Sequence, residues 1–215
     1  ARLAEGLRKA GQKAAVVTLP DSLCWMLNIR GADVPKNPVL HGFAILKDDG
    51  RVDLFVAPAK LDQAVRAHLG DGVTILPVEG FANALKELAG PVRVDKGTAP
   101  IAVADLLKAA GIEVQWGDDP CRLPKACKNP AEIAATREAH LRDGTAMVEF
   151  LRWLDEASPK GGLTEISVVT ALEGFRRATN ALHDISFDTI CGSGPNGAIM
   201  HYRVTEESNR AVGAN

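Results

Sequence analysis

The first half of the chain alternates two hydrophobic patterns. Apolar residues three or four apart mark helices, and short continuous apolar runs mark buried strands. Residues 2–10 put Leu3, Leu7 and Ala10 on one helical face, and AAVVTL (residues 14–19) reads as a buried strand. A short helix follows through Trp25 and Leu27, with Asp21 as its expected cap. Residues 39–46 and 52–56 predict two strands joined by Asp48-Asp49-Gly50, a hairpin signal. Pro58 opens a predicted helix carrying Leu61, Ala64, Val65 and Leu69. Residues 73–78 read as a strand, 81–88 as a helix, 92–95 as a strand, 101–109 as a helix and 113–116 as a strand. Strands interleaved with helices imply an α/β domain whose sheet is covered on both faces. The hairpin makes that sheet mixed.

The pattern then breaks. GDDPCRLPKACKNP (residues 117–130) holds three prolines and no periodicity, and reads as an interdomain connection. A helix start follows with agreeing signals. Asn129 can cap, Pro130 suits the first helical position, and Glu132 sits three after the cap. Ile133, His140, Leu141, Gly144, Met147, Val148, Leu151 and Leu154 form its expected apolar row, to about Glu156. SPKGG interrupts it, and Thr164 caps a second helix that runs to about Ala178. Residues 187–191 and 198–202 read as two strands.

Between those strands lies GSGPNG (residues 192–197), which matches the dinucleotide fingerprint G-x-G-x-x-G. That fingerprint requires a helix after its last glycine, because the pyrophosphate rests on the helix's first N–H groups. Here Ala198 to Arg203 alternates as a strand would, and Pro195 removes one donor. No Gly-Lys-Ser/Thr follows, as a phosphate loop requires. The stretch is therefore expected to be a strand–turn–strand, with Gly194-Pro195-Asn196-Gly197 as the turn and His201 held rigidly beyond it.

Composition narrows the function classes. Lys plus Arg is 25 and Asp plus Glu is 27, so the net charge of −2 gives no electrostatic case for nucleic acid or a membrane surface. No apolar stretch is long enough to span a bilayer. Cys24, Cys121, Cys127 and Cys191 form no C-x-x-C pair, and the expectation is four reduced thiols in a cytoplasmic setting.

Four segments resemble aminopeptidase P, the Xaa-Pro aminopeptidases of the pita-bread metallopeptidase superfamily. They are WMLNIRGADVPKNPV (residues 25–39), KNPAEIAATREAH (128–140), LTEISV (163–168) and FDTICGSGPNGAIMHYRVTEESNR (187–210). They fall in the order and spacing of the three-domain members. The resemblance implies a creatinase-type second domain over residues 1–125, α/β with a mixed sheet covered by helices. Residues 126–215 would open the α+β pita-bread catalytic domain.

In such enzymes two divalent ions, commonly Mn²⁺, are held by two Asp, one His and two Glu. The resemblance places all five after Asn215, so Glu206 and Glu207 are not expected to be ligands and the 215 residues alone are expected to be inactive. The implied substrates are peptides with proline second, and the complete enzyme is expected to be a homodimer. His201, in A-I-x-H-Y, matches the family's active-site histidine, expected to hydrogen-bond the substrate or the tetrahedral intermediate and assist proton movement. Arg30, in N-I-R-G, is a candidate to bind a peptide carboxylate or carbonyl, with a surface ion pair as the competing reading. Asp33 and Asn37 are expected to organise their loop. His140 is expected in the helix-packing face, His68 at a helix end where a cation suits the dipole, and His41 and His183 carry no ligand role. A non-catalytic binding module and a creatinase- or prolidase-like hydrolase of another substrate remain the alternatives.

Overall fold

The computed structural model describes residues 1–213; Ala214 and Asn215, including the point past which ligands are expected, lie outside the described residues. Two compact units divide between Lys128 and Asn129.

The first unit is built on a six-stranded sheet. Its elements are α1 (Arg2–Lys9), β1 (Ala14–Val17), α2 (Pro20–Leu27), β2 (Phe43–Lys47), β3 (Val52–Phe55), α3 (Gln63–Leu69), β4 (Val73–Leu76), α4 (Phe81–Lys86), β5 (Val92–Val94), α5 (Ile101–Ala109), β6 (Val114–Trp116) and α6 (Arg122–Ala126). The strand order is β4-β3-β2-β1-β5-β6. β1 and β2, and β2 and β3, are antiparallel; the other pairs are parallel. The mixed sheet follows from its connections: a four-residue turn joins β2 to β3, whereas the parallel pairs need helical crossovers.

Side-chain alternation divides the core into two layers. Ala15, Val17, Ala44, Leu46, Val52 and Leu54 pack on one face with Leu7 of α1 and Leu23, Cys24 and Leu27 of α2. Ala14, Val16, Ile45, Val92 and Val94 pack on the other with Phe81 and Leu85 of α4 and Val103 and Leu107 of α5. Phe81 stacks on Phe43 at 4.5 Å between ring centroids. All four residues of β1 are buried, as a strand paired on both edges and covered on both faces requires.

Three local expectations change. Asp21 does not cap α2: the N-cap is Leu19, with no side-chain bond. The Asp21 carboxylate pairs instead with Lys125 of α6. That ion pair and a short helix over residues 122–126 give order to a stretch expected to be irregular. Pro58 opens a 3₁₀ turn rather than an α-helix, and Asp62 caps α3 by accepting the Val65 N–H at 2.8 Å.

The second unit contains α7 (Pro130–Ala157) and α8 (Glu165–Ala178). Both open with reciprocal capping boxes, Asn129 with Glu132 and Thr164 with Ser167. The helices meet through Phe150, Trp153 and Phe175, whose ring centroids lie 5.9–6.5 Å apart. Asp143 binds Arg176 through both carboxylate oxygens. The face that packs is carried by Ala146 and Phe150, the buried residues of α7. The apolar row expected from periodicity turns elsewhere, with Leu141 and Val148 more than two-thirds exposed. His140 is on that exposed side too, its ring nitrogen bonded to the Thr136 carbonyl at 2.9 Å. Spacing identifies a helical row, but not whether another element is there to cover it.

All four cysteines are free; Cys24 and Cys121 are buried, Cys127 is exposed and Cys191 is half-buried. Burial, and then the neighbouring Asp119 carboxylate, push the Cys121 thiol far above its ordinary range.

Truncating a fully buried strand residue tests the core assignment. Leu54→Ala should lower stability by about 2–5 kcal/mol, read from chemical denaturation.

Candidate functional site

Sequence reasoning singles out His201 and Arg30, and they belong to different units.

Arg30 follows α2, which ends with Asn28 in the left-handed region at φ 51°. The Ile29 side chain is buried while Arg30 is exposed. The Arg30 guanidinium donates from Nη1 to the Ile29 carbonyl at 2.9 Å. No ion pair to Arg30 occurs among the described residues, so the surface ion-pair reading gains no support. The loop beyond it is held by Asp33, which accepts from the His41 N–H at 2.7 Å and from Lys60 Nζ at 2.6 Å. Those bonds hold the Asp33 carboxyl below its usual range, with Lys60 the largest contributor. A Cβ at Gly31 would lie 2.6 Å from the Leu40 backbone nitrogen, so only glycine fits that close approach.

The second site is built around GSGPNG. The flanking strands expected at residues 187–191 and 198–202 do not form. Gly194–Ala198 is a 3₁₀ turn, and the residues around it have no strand partner among the described residues. Apolar–polar alternation is not realised: Ile199 and Met200 are both exposed, at 53% and 85%. A strand needs a neighbour for its backbone groups. In this stretch the backbone turns back on itself, with Asn196 donating to the Ser193 carbonyl, Ile199 to Asn196 and Tyr202 to Ile199. The α-helix that a nucleotide loop requires after Gly197 is not there either. A Cβ at Gly192 would lie 2.9 Å from the Asn196 carbonyl oxygen, which explains the first glycine of the run by close packing.

The anchor of this segment is Glu165, the first residue of α8. It is fully buried. Its Oε1 accepts from the Ser193 N–H at 2.5 Å. Its Oε2 accepts from the Tyr202 hydroxyl at 2.8 Å and from the Arg210 N–H at 3.1 Å. Asn196 Nδ2 lies 3.1 Å from each oxygen. Ser208 closes the ring, its Oγ 2.9 Å from the Tyr202 hydroxyl and its carbonyl 2.9 Å from Asn196 Nδ2. The backbone reinforces it: Glu165 N–H donates to the Arg210 carbonyl at 3.0 Å, and Val212 N–H to Leu163 at 2.8 Å. Burial pushes the Glu165 carboxyl up, but the bonds from Ser193, Tyr202, Asn196 and Arg210 outweigh it and hold the group below its ordinary range. Burial, and after it the same carboxylate, push the Tyr202 phenol up.

His201 sits next to this clasp. Tyr202 is buried at 6% exposure; His201, one residue before it, is exposed with φ 55°. Its imidazole makes no hydrogen bond among the described residues and is free to donate or accept. Sequence reasoning did not single out Glu165, Asn196 or Tyr202. The available signal was a carboxylate inside an apolar stretch, between Leu163 and Ile166, immediately after a capping threonine. No group of three or more His, Cys, Asp or Glu side chains able to hold a metal occurs among the described residues.

Both units match known families, and the match is continuous. Residues 1–132 match the creatinase/prolidase N-terminal domain. The chain belongs to that family. Residues 134–213 match metallopeptidase family M24, so a creatinase-type domain is followed by part of an M24 domain, as in the aminopeptidases P. The chain is 36% identical over 211 residues to the "Probable Xaa-Pro aminopeptidase P" of Laccaria bicolor, covering 94% of this chain and 32% of that protein. It is 32% identical over 231 residues to Aminopeptidase P2 of Arabidopsis thaliana, covering 93% and 32%. The crystal structure of an X-prolyl aminopeptidase from Caenorhabditis elegans, described as a cytosolic enzyme with a di-nuclear active site, superimposes with a TM-score of 0.88 at 30% identity. That match covers 99% of this chain and 36% of the other. The chain thus spans about a third of the length of the curated relatives it matches. No helix among the described residues is long and apolar enough to cross a membrane.

The clasp should respond to acid with a definite sign. A carboxyl depressed on folding stabilises above its unfolded value, near 4.5, and the contribution is lost as pH falls through the folded value. Amide protection at Ser193 and Arg210 should therefore be constant from pH 7 to 5 and fall below about 4.5, read by hydrogen exchange corrected for intrinsic rates. In the first unit, Gly31→Ala should cost about 1–3 kcal/mol of stability, because its methyl meets backbone rather than a movable side chain; a thermal melt measures it.

Proposed function

We propose that this chain is part of a metal-dependent aminopeptidase that removes the N-terminal residue from peptides with proline in second position. The observation that carries the reading is the continuous likeness to aminopeptidase P across both units, at 36% identity over 211 residues to one such relative. In this reading residues 1–125 form the second domain of a three-domain enzyme and residues 126–215 open its catalytic domain. The enzyme acts in the cytoplasm on proline-containing peptides and assembles as a homodimer.

The residues described here do not fit a dinuclear site, since no cluster of three ligating side chains occurs among them. The ligands are assigned to the part of the catalytic domain that follows Asn215, with Mn²⁺ as the proposed metal. What this chain contributes is orientation and proton handling. His201 presents an unengaged imidazole on a segment fixed from behind by Glu165. It donates to the scissile carbonyl or to the tetrahedral oxyanion, and it holds or passes a proton at its ring nitrogen. Arg30, exposed at the end of α2, offers a planar cation to a peptide carboxylate or carbonyl.

The test is release of the N-terminal residue from an Xaa-Pro peptide by the complete enzyme. His201→Ala should lower kcat by about 10²–10⁴-fold, with bound metal unchanged by elemental analysis. Wild-type turnover in that variant removes His201 from the mechanism. The 215-residue chain alone should show no Mn²⁺-dependent cleavage, and measurable cleavage would overturn the placement of the ligands.

A further inference from the structure

Every group hydrogen-bonded to the Glu165 carboxylate among the described residues is a donor. The Ser193 and Arg210 N–H groups, the Asn196 amide and the Tyr202 hydroxyl converge on two oxygens that have no access to water. A glutamine in the same place offers one acceptor oxygen and turns its own NH₂ toward donors. The ring therefore selects a carboxylate by charge as well as by shape. Its members come from the start of α8 and from both ends and the middle of the segment 193–210, so one side chain ties that whole loop together.

Inside the loop, two adjacent residues point opposite ways. Tyr202 is drawn in and bonded to Glu165, while His201 stands out at φ 55°, a region a non-glycine residue occupies only when its surroundings hold it there. Releasing Tyr202 removes the nearest anchor of that backbone. His201 itself bonds to nothing that would keep it in place.

We propose that Glu165 is the positioning residue for His201: its buried carboxylate, by gripping Tyr202, Asn196 and the backbone at 193 and 210, sets the conformation in which the imidazole is presented. Its meaning for catalysis rests on the active-site reading of His201; the coupling between the two residues does not. Glu165 touches no reacting atom and acts only through the loop.

The experiment follows the histidine ring resonances of the 215-residue chain by ¹H–¹³C correlation. Five histidines give five signals, and a His201→Gln spectrum identifies that of His201. Glu165→Gln and Tyr202→Phe are compared with wild type well below their unfolding temperatures. The expected result is a displaced or broadened His201 signal in both variants, more so in Glu165→Gln, with His41 and His68 of the first unit unmoved. A general loss of stability lowers the unfolding temperature without moving a resonance of the folded state. A His201 signal at its wild-type position in folded Glu165→Gln overturns the proposal. If that variant does not fold, Tyr202→Phe decides, and an unmoved His201 signal there overturns it equally. Turnover by His201→Ala in the complete enzyme is a separate measurement, so failure of the active-site reading and failure of the coupling are told apart.

Discussion

A carboxylate removed from water must find hydrogen-bond donors or be neutralised. In the second unit that constraint falls on Glu165, and most of the order beyond α8 follows from how it is met. Four donors from separate positions converge on it, and the chain between them has little freedom left. A short segment without sheet or α-helix is thus fixed by side-chain chemistry instead of by a backbone ladder. The position of Glu165 in the first turn of α8 adds to the effect, because the positive end of the helix dipole favours a negative charge there.

The first unit solves a similar problem by other means. β1 pairs antiparallel with β2 on one edge and parallel with β5 on the other, and so joins the hairpin half of the sheet to the crossover half. Its four small or branched side chains allow helices to approach both faces. At the far end of β5, Asp95 repeats the buried-carboxylate device in miniature: it accepts from the Gly97 N–H at 2.8 Å and the Asp119 N–H at 3.1 Å. Burial opposes its charge, and the bonds still hold its carboxyl below the usual range. In both units a loop is tied to the framework through an acidic side chain that accepts from backbone amides.

Local signals in the sequence were the legible ones. Both capping boxes form where Asn129 and Thr164 predicted helix starts, because a cap is decided by residues three apart. The sheet strands and the hairpin were legible because each carries its own burial pattern. The missed features depend on distance. The strands expected beside GSGPNG required partners, and alternation says nothing about whether a partner exists. The apolar row of α7 had the right spacing, while the packed face was set by where α8 lies against it. Glu165 drew no attention because its donors are 28 to 45 residues away in the chain. His201 is singled out only by its resemblance to a family pattern, since nothing in its immediate neighbours distinguishes it from a histidine on any exposed turn.

The cysteines carry a practical consequence. Cys121 is fully buried next to Asp119, and burial, then that carboxylate, push its thiol up. Cys24 is buried as well, and burial raises its thiol too. Cys127 is exposed at the end of α6, two residues before the second unit begins at Asn129. A maleimide dye or nitroxide offered to the folded chain would be steered toward Cys127, which gives spectroscopy a native attachment point just ahead of the Asn129 cap of α7. Only the half-buried Cys191 competes for the label, and a serine there would leave one address.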